Sequence, residues 1–295
     1  MTALERVVLH VGAHKTGTTH FQKGLRKGRA DLEAAGCALY LPSDLRPAPR
    51  LARMLGVSFQ SGRRRDDWSP ALPEAMARGK PTLVISEENV LGPLSGAAEG
   101  PMERVYPEAA PRLRTLLCGL GGVPATVLLS VRDPGRFVLS AYSQALLAGR
   151  GGAWQAFVAR MPVERVDWAD LAARIVALEG VAELVVWRLE DYPEIANAAV
   201  ARIAGRPLPS PPWFAHDAAH QGLSAAAVAA ALAAPEGARR KAAASEARQA
   251  LPRSERNPPF RPLSPGAEAA SAAAYADQIA RLDRMARVVR LGKAG

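Results

Sequence analysis

The chain has 295 residues, 48% of them apolar, enough to bury a sizeable core in one large α/β domain or two small ones. Lys and Arg number 38 against 28 Asp and Glu, and the resulting charge of +10 suits an anionic ligand, an anionic polymer or an acidic membrane surface equally, so charge alone selects none of them. No stretch approaches the roughly 20 unbroken apolar residues of a membrane-spanning helix. The first strand-like run begins at Arg6, so we expect no signal peptide and a cytoplasmic protein. Cys37 and Cys118 lie far apart without a His or Cys at metal-ligand spacing, which argues against a disulfide scaffold or a zinc site and for two buried small hydrophobes.

In chain order, Arg6–Val11, Thr82–Ile85, Thr126–Val131 and Leu184–Trp187 are runs rich in Val and Leu between turn residues. Strands covered on both faces lose the in-out alternation, so these read as buried parallel strands, with Cys37–Leu41 as a fifth candidate. Helical periodicity covers Gly17–Ala34, with Phe21, Leu25 and Leu32 on one face, then Pro111–Leu120, Pro134–Leu147 and Trp168–Leu178. Alternating strands and helices predict an α/β fold, a doubly wound, mainly parallel sheet with flanking helices.

We expect one domain over 1–295, with an excursion of loops and short helices at about 42–80 that is rich in Pro, Arg and Gly. The cluster Arg63-Arg64-Arg65 within it reads as a solvated loop. From about Tyr192 the chain is Ala-rich, predicting a helical C-terminal third with no further strand and a last helix from about Ala267 to Arg290. The composition around Pro235–Ser254 fits either a surface helix or a poorly ordered segment. No helix-turn-helix, zinc finger or aromatic RNA-binding strand pair is present, and no nucleic-acid partner is expected.

Directly after the first strand comes Gly12-Ala13-His14-Lys15-Thr16-Gly17-Thr18-Thr19, running into an amphipathic helix. A glycine-rich turn from strand to helix points backbone N–H groups and the positive end of the helix dipole at one spot, which makes an anion site. Against the triphosphatase pattern G-x-x-x-x-G-K-[ST] the glycines match, but Thr18 stands where the lysine should be and Lys15 lies inside the loop. This displaced lysine, in His14-Lys15-Thr16-Gly17-Thr18-Thr19, resembles the 5′-phosphosulfate loop of the sulfotransferases that use 3′-phosphoadenosine 5′-phosphosulfate (PAPS), bacterial members included. The resemblance implies a fold like that of the P-loop nucleoside triphosphatases. It also implies a catalytic Lys15 at the oxygen bridging phosphate and sulfate, and a donor-binding loop of Gly12, His14, Lys15, Thr16, Gly17, Thr18 and Thr19.

A second motif, Ser130-Val131-Arg132-Asp133-Pro134, again joins a strand end to a helix, with Pro134 suited to the first helical position and Asp133 to its cap. An arginine there offers forked donors to a phosphate. Taken alone, Arg132 is equally satisfied by pairing with a neighbouring carboxylate. Arg132 and Ser140, eight positions apart with seven residues between, resemble the element of the same family that binds the 3′-phosphate of the donor. Tyr142 and Arg136 read as packing and surface residues. Further 3′-phosphate contacts are implied near the C-terminus, with Arg253, Arg256 and Arg261 as candidates.

The strand Thr82–Ile85 ends in Ser86-Glu87-Glu88-Asn89, at the carboxyl edge of the sheet where ligands of open α/β folds gather. Transfer to a hydroxyl or amine needs a group that takes the acceptor's proton, and a glutamate within hydrogen-bond reach serves if its environment raises its pKa toward the working pH. Glu87 resembles the glutamate at this strand end in some carbohydrate-modifying sulfotransferases and is the first candidate. Glu88 is the alternative, an acidic pair serving as helix start or as partner of Lys15 is a third reading, and His14, His20, His216 and His220 are further candidates.

The resemblance thus implies sulfuryl transfer from PAPS to a small-molecule, carbohydrate or lipid acceptor, leaving 3′-phosphoadenosine 5′-phosphate (PAP), with no metal required. Two other readings fit the same motifs: an anion- or nucleotide-binding module without catalysis, and a Mg²⁺-dependent nucleotide kinase, against which Thr18 speaks.

Overall fold

The computed structural model describes residues 3–94, 100–192, 194–208, 212–214 and 222–292. Six strands form one sheet: β1 (Arg6–Gly12), β2 (Cys37–Tyr40), β3 (Thr82–Ser86), β4 (Ala125–Val131), β5 (Val181–Arg188) and β6 (Val288–Leu291). They lie in the order β2-β3-β1-β4-β5-β6, every neighbouring pair parallel. β1 therefore sits between β3 and β4, and the chain goes to one side of β1 first and to the other later. The carboxyl end of such a reversal is where an open α/β sheet leaves a crevice.

Both faces of the sheet are covered. Val7, Leu9 and Val11 of β1 with Val127, Leu129 and Val131 of β4 enter one core, while Val8 and Leu128 enter the other. The helices on the second face include α1 (Thr18–Lys27) and α2 (Arg29–Ala34), through Phe21, Leu25 and Leu32, and the helix Ala196–Ala204, through Ala199, Val200 and Ile203. On the first lie α3 (Ala109–Gly119), α4 (Pro134–Leu147), α5 (Trp168–Val176) and α6 (Pro265–Asp283). The segment between β2 and β3 is an excursion of three short helices and a two-strand hairpin, Val57–Ser58 with Arg63–Arg64.

Several expectations need correction. The helical pattern over 17–34 is two helices, divided at Gly28. An added Cβ at Gly28 would stand 2.3 Å from the Trp213 ring. Gly28→Ala therefore overpacks a buried contact and is expected to cost roughly 1–3 kcal/mol, read as a lowered urea midpoint. A strand does follow Tyr192: β6 is a four-residue edge strand, half-exposed along its length, so it carries no continuous apolar run to announce it, and the last helix stops at Asp283. The stretch around Pro235–Ser254 holds a helix over Ala238–Ala250 that buries Ala244 and Ala247. Cys37 is buried, but Cys118 is exposed; both are free. The arginine cluster is exposed yet engaged: Arg64 donates to the Cys118 carbonyl (2.9 Å) and lies over Trp68, and Arg65 pairs with Asp67. No helix among the described residues is long and apolar enough to cross a membrane.

Candidate functional site

β1 ends in a loop whose shape is set by its own polar groups. Gly12 (φ 104°) and Gly17 (φ 85°) occupy backbone that favours glycine, and Lys15 (φ 63°) adopts a left-handed conformation at some energetic cost. A Cβ on Gly12 would come within 3.0 Å of Glu88 Cβ, so that position is doubly restricted. Thr16 and Thr18 each donate their hydroxyl to the Ala13 carbonyl at 2.6 Å, and Ser130 donates to the Gly12 carbonyl at 2.9 Å and also contacts the Thr16 hydroxyl. Thr16 and Thr18, expected to line a donor site, thus spend their protons on building the loop. The backbone N–H groups of Lys15, Thr16, Gly17, Thr18 and Thr19 have no acceptor among the described residues, and Thr19 is exposed at the start of α1.

His14 is fixed from three directions. The buried Tyr106 hydroxyl accepts from the His14 N–H (2.9 Å) and faces its Nδ1 (2.9 Å), while Nε2 lies 3.3 Å from Asn89 Oδ1. Because Asn89 Oδ1 can only accept, the consistent assignment puts the ring proton on Nε2 and has the Tyr106 hydroxyl donate to Nδ1. Burial lowers the His14 pKa and holds the ring neutral, and with Nδ1 engaged by Tyr106 and Nε2 by Asn89 neither nitrogen is open to an acceptor's proton. His20 meets the Tyr192 hydroxyl through Nδ1 (2.5 Å). His216 and His220 lie outside the described residues.

Arg132 stands at the end of β4, and its Nη1 donates to the Lys15 carbonyl at 3.1 Å, joining the two motifs across adjacent strands. Burial lowers its pKa, as it does that of Lys15, on which Arg248 also acts, followed by Glu88 in the opposite sense and Arg132. The Lys15 Nζ donates to Gln144 Oε1 on α4. As expected, Asp133 caps α4 by accepting from the Arg136 N–H (2.9 Å), and Pro134 takes its first position. Tyr142 is buried and Arg136 exposed. Ser140 is half-buried in the second turn of α4, and no hydrogen bond joins it to Arg132. Arg253 is among the charges acting on Arg132, so one of the three C-terminal arginines is an electrostatic neighbour of this corner, and Arg261 in turn acts on Arg253.

At the end of β3, Glu87 is buried and held bidentately by Arg46, whose Nε and Nη2 donate at 2.9 Å each, while the Asn89 N–H donates to Oε1 (3.1 Å). Glu88 accepts from the same Arg46 Nη2 (2.9 Å) and from Gln22 (2.8 Å). Burial alone would raise the Glu88 pKa, but the donors from Gln22, its own backbone and Arg46 outweigh it and hold the carboxyl below the usual range, opposite to the rise expected of a proton acceptor. Neither carboxylate pairs with Lys15; Arg46 is the partner, and no pattern in the sequence singled it out. Among the described residues no three His, Cys, Asp or Glu side chains gather as a metal-ligand set.

Behind the site is His10, on β1 beside Ser86, its Nδ1 2.7 Å from the Ser86 hydroxyl and its ring between Phe21 and Trp187. Its Nε2 is the one buried side-chain polar atom among the described residues without a partner, and burial pushes its pKa down to about 4. Hidden inside the apolar run of β1, it gave no functional signal in the sequence. The chain matches no protein-family model, no curated protein and no solved structure at the significance required.

Proposed function

We propose that the protein is a PAPS-dependent sulfotransferase with a fold like that of the P-loop nucleoside triphosphatases. One observation carries the reading: the loop with Lys15, the strand end with Arg132 and the strand end with Glu87 and Glu88 come from the adjacent strands β1, β4 and β3 and open on one edge of the sheet. The donor set suits a phosphosulfate: five N–H groups without acceptors among the described residues, an ammonium and a guanidinium.

PAPS supplies an activated sulfuryl group. Lys15 and the amides from Lys15 to Thr19 meet the negative charge that grows on the departing phosphate, and preorganised donors of this kind often provide the largest part of catalysis. Arg132, with Arg253 near it, holds the additional phosphate, and Ser140 is retained as its second contact. His14, neutral and with its Nε2 proton given to Asn89, shapes the loop, and the carboxylates of Glu87 and Glu88 on the acceptor side are assigned to take the proton from a hydroxyl or amine. The test is release of PAP from PAPS in the presence of phenolic, carbohydrate and lipid hydroxyls and amines in turn. Release that depends on one acceptor class supports the reading; no release with any of them, from protein that binds PAP, favours a binding module without catalysis.

A further inference from the structure

Glu87 and Glu88, on the acceptor side, share one cation. Arg46 sits just past the first short helix of the excursion, Pro42–Leu45, yet its side chain reaches the end of β3, 41 and 42 positions away in sequence. Three donations from one guanidinium fall on two carboxylates: Nε on Glu87 Oε2, Nη2 on Glu87 Oε1 and Glu88 Oε1. Glu87 is 7% exposed while Arg46 is 50% exposed, so the acid is inside and the base covers it from the solvent side.

We propose that Arg46 is the positioning residue of the acceptor side, holding Glu87 and Glu88 together at the end of β3 so that their remaining lone pairs face the acceptor. The inference rests on the sulfotransferase reading. A carboxylate offers about four lone-pair sites. Arg46 and the Asn89 N–H take three on Glu87, and Arg46, Gln22 and its own backbone N–H take three on Glu88, so each acid keeps one site for a further hydrogen bond while still clamped. As the acceptor oxygen or nitrogen bonds to sulfur, the bond from sulfur to the bridging oxygen breaks, its electron pair stays on the phosphate, and the acceptor's proton passes to a carboxylate. The excursion thereby becomes part of the catalytic apparatus, because it delivers the group that fixes the proton acceptor.

The clamp also sets the pH dependence. Arg46 from the excursion and His14 from the loop face Glu87; Gln22 on α1, Arg46, Lys15, His14, His10 on β1 and Tyr106 face Glu88. Of these, Arg46 is the cation bonded to both.

The experiment compares the full chain with Arg46→Gln and Arg46→Lys. The Glu88 titration is followed by carboxyl carbon NMR, assigned with Glu88→Gln, and PAP affinity and the pH profile of transfer are measured alongside. We expect Arg46→Gln to raise the Glu88 midpoint by about a unit and to lower kcat by at least tenfold. The acid limb of the profile should move up with the midpoint, PAP affinity should stay within threefold, and Arg46→Lys should recover part of each change. An unmoved Glu88 midpoint in folded Arg46→Gln, or a loss of PAP affinity as large as the loss of kcat, overturns the proposal. Failure of the sulfotransferase reading would appear separately, as no PAP binding by the unaltered chain.

Discussion

Lys15→Ala is expected to lower kcat for sulfuryl transfer by roughly 10²–10³-fold, about 3–4 kcal/mol, the cost of removing one preorganised donor from a developing charge. The effect should fall mainly on kcat. The five amides of the loop remain to bind the ground-state anion, whereas the ammonium matters most when the bridging oxygen gains charge. Stability should hardly change, because the hydrogen bond that the Lys15 side chain loses is to the Gln144 side chain alone. Steady-state kinetics with a PAP titration in parallel separates the two outcomes: equal losses of kcat and PAP affinity would make Lys15 a binding residue only. Its lowered pKa, from burial first and then from Arg248, is expected to place the basic limb of the rate below the ordinary lysine range, since the proposed role requires protonated Lys15.

The second large effect is on stability. Native His10 takes up its proton only near pH 4, against 6.5 for an exposed ring. Between these values the unfolded chain binds more protons than the native one, so stability falls as pH falls, by about 3 kcal/mol between pH 7 and pH 4 from this residue alone. Desolvation is the cause: ring and Nε2 are enclosed by Phe21 and Trp187, with Ser86 as partner on Nδ1 only. Urea unfolding at several pH values, compared with His10→Phe, isolates the term from the carboxylates. The variant should lose less stability on acidification than the unaltered chain, and parallel curves would contradict the assignment.

Strands β1 to β5 were legible because a strand buried on both faces shows itself as a local apolar run, and the two motifs stood where such runs turn into helices. What escaped depends on partners distant in sequence. β6 exists because β5 presents an edge to pair with, from Leu184 to Trp187, and its own four residues carry too little apolar character to reveal it. Arg46 is one of 38 basic residues, and only the return of the excursion to the end of β3 distinguishes it. Tyr106 is separated by 92 positions from His14, which it orients, and no spacing rule connects them. The bonds of the Thr16 and Thr18 hydroxyls escaped for the opposite reason, a local one: a loop this tight has backbone carbonyls of its own to satisfy, and the hydroxyls nearest to Ala13 satisfy one of them.

On the proposed reading, the crevice beyond β3, β1 and β4 takes a nucleotide with a phosphosulfate and a 3′-phosphate. Isothermal titration of the purified chain with PAP, beside ATP with Mg²⁺ and beside Lys15→Ala and Arg132→Ala, addresses it most directly. The account predicts tight binding of PAP, weakened most in Arg132→Ala, and little affinity for ATP with Mg²⁺. Preference for ATP with Mg²⁺, or no nucleotide binding by the folded chain, would contradict it.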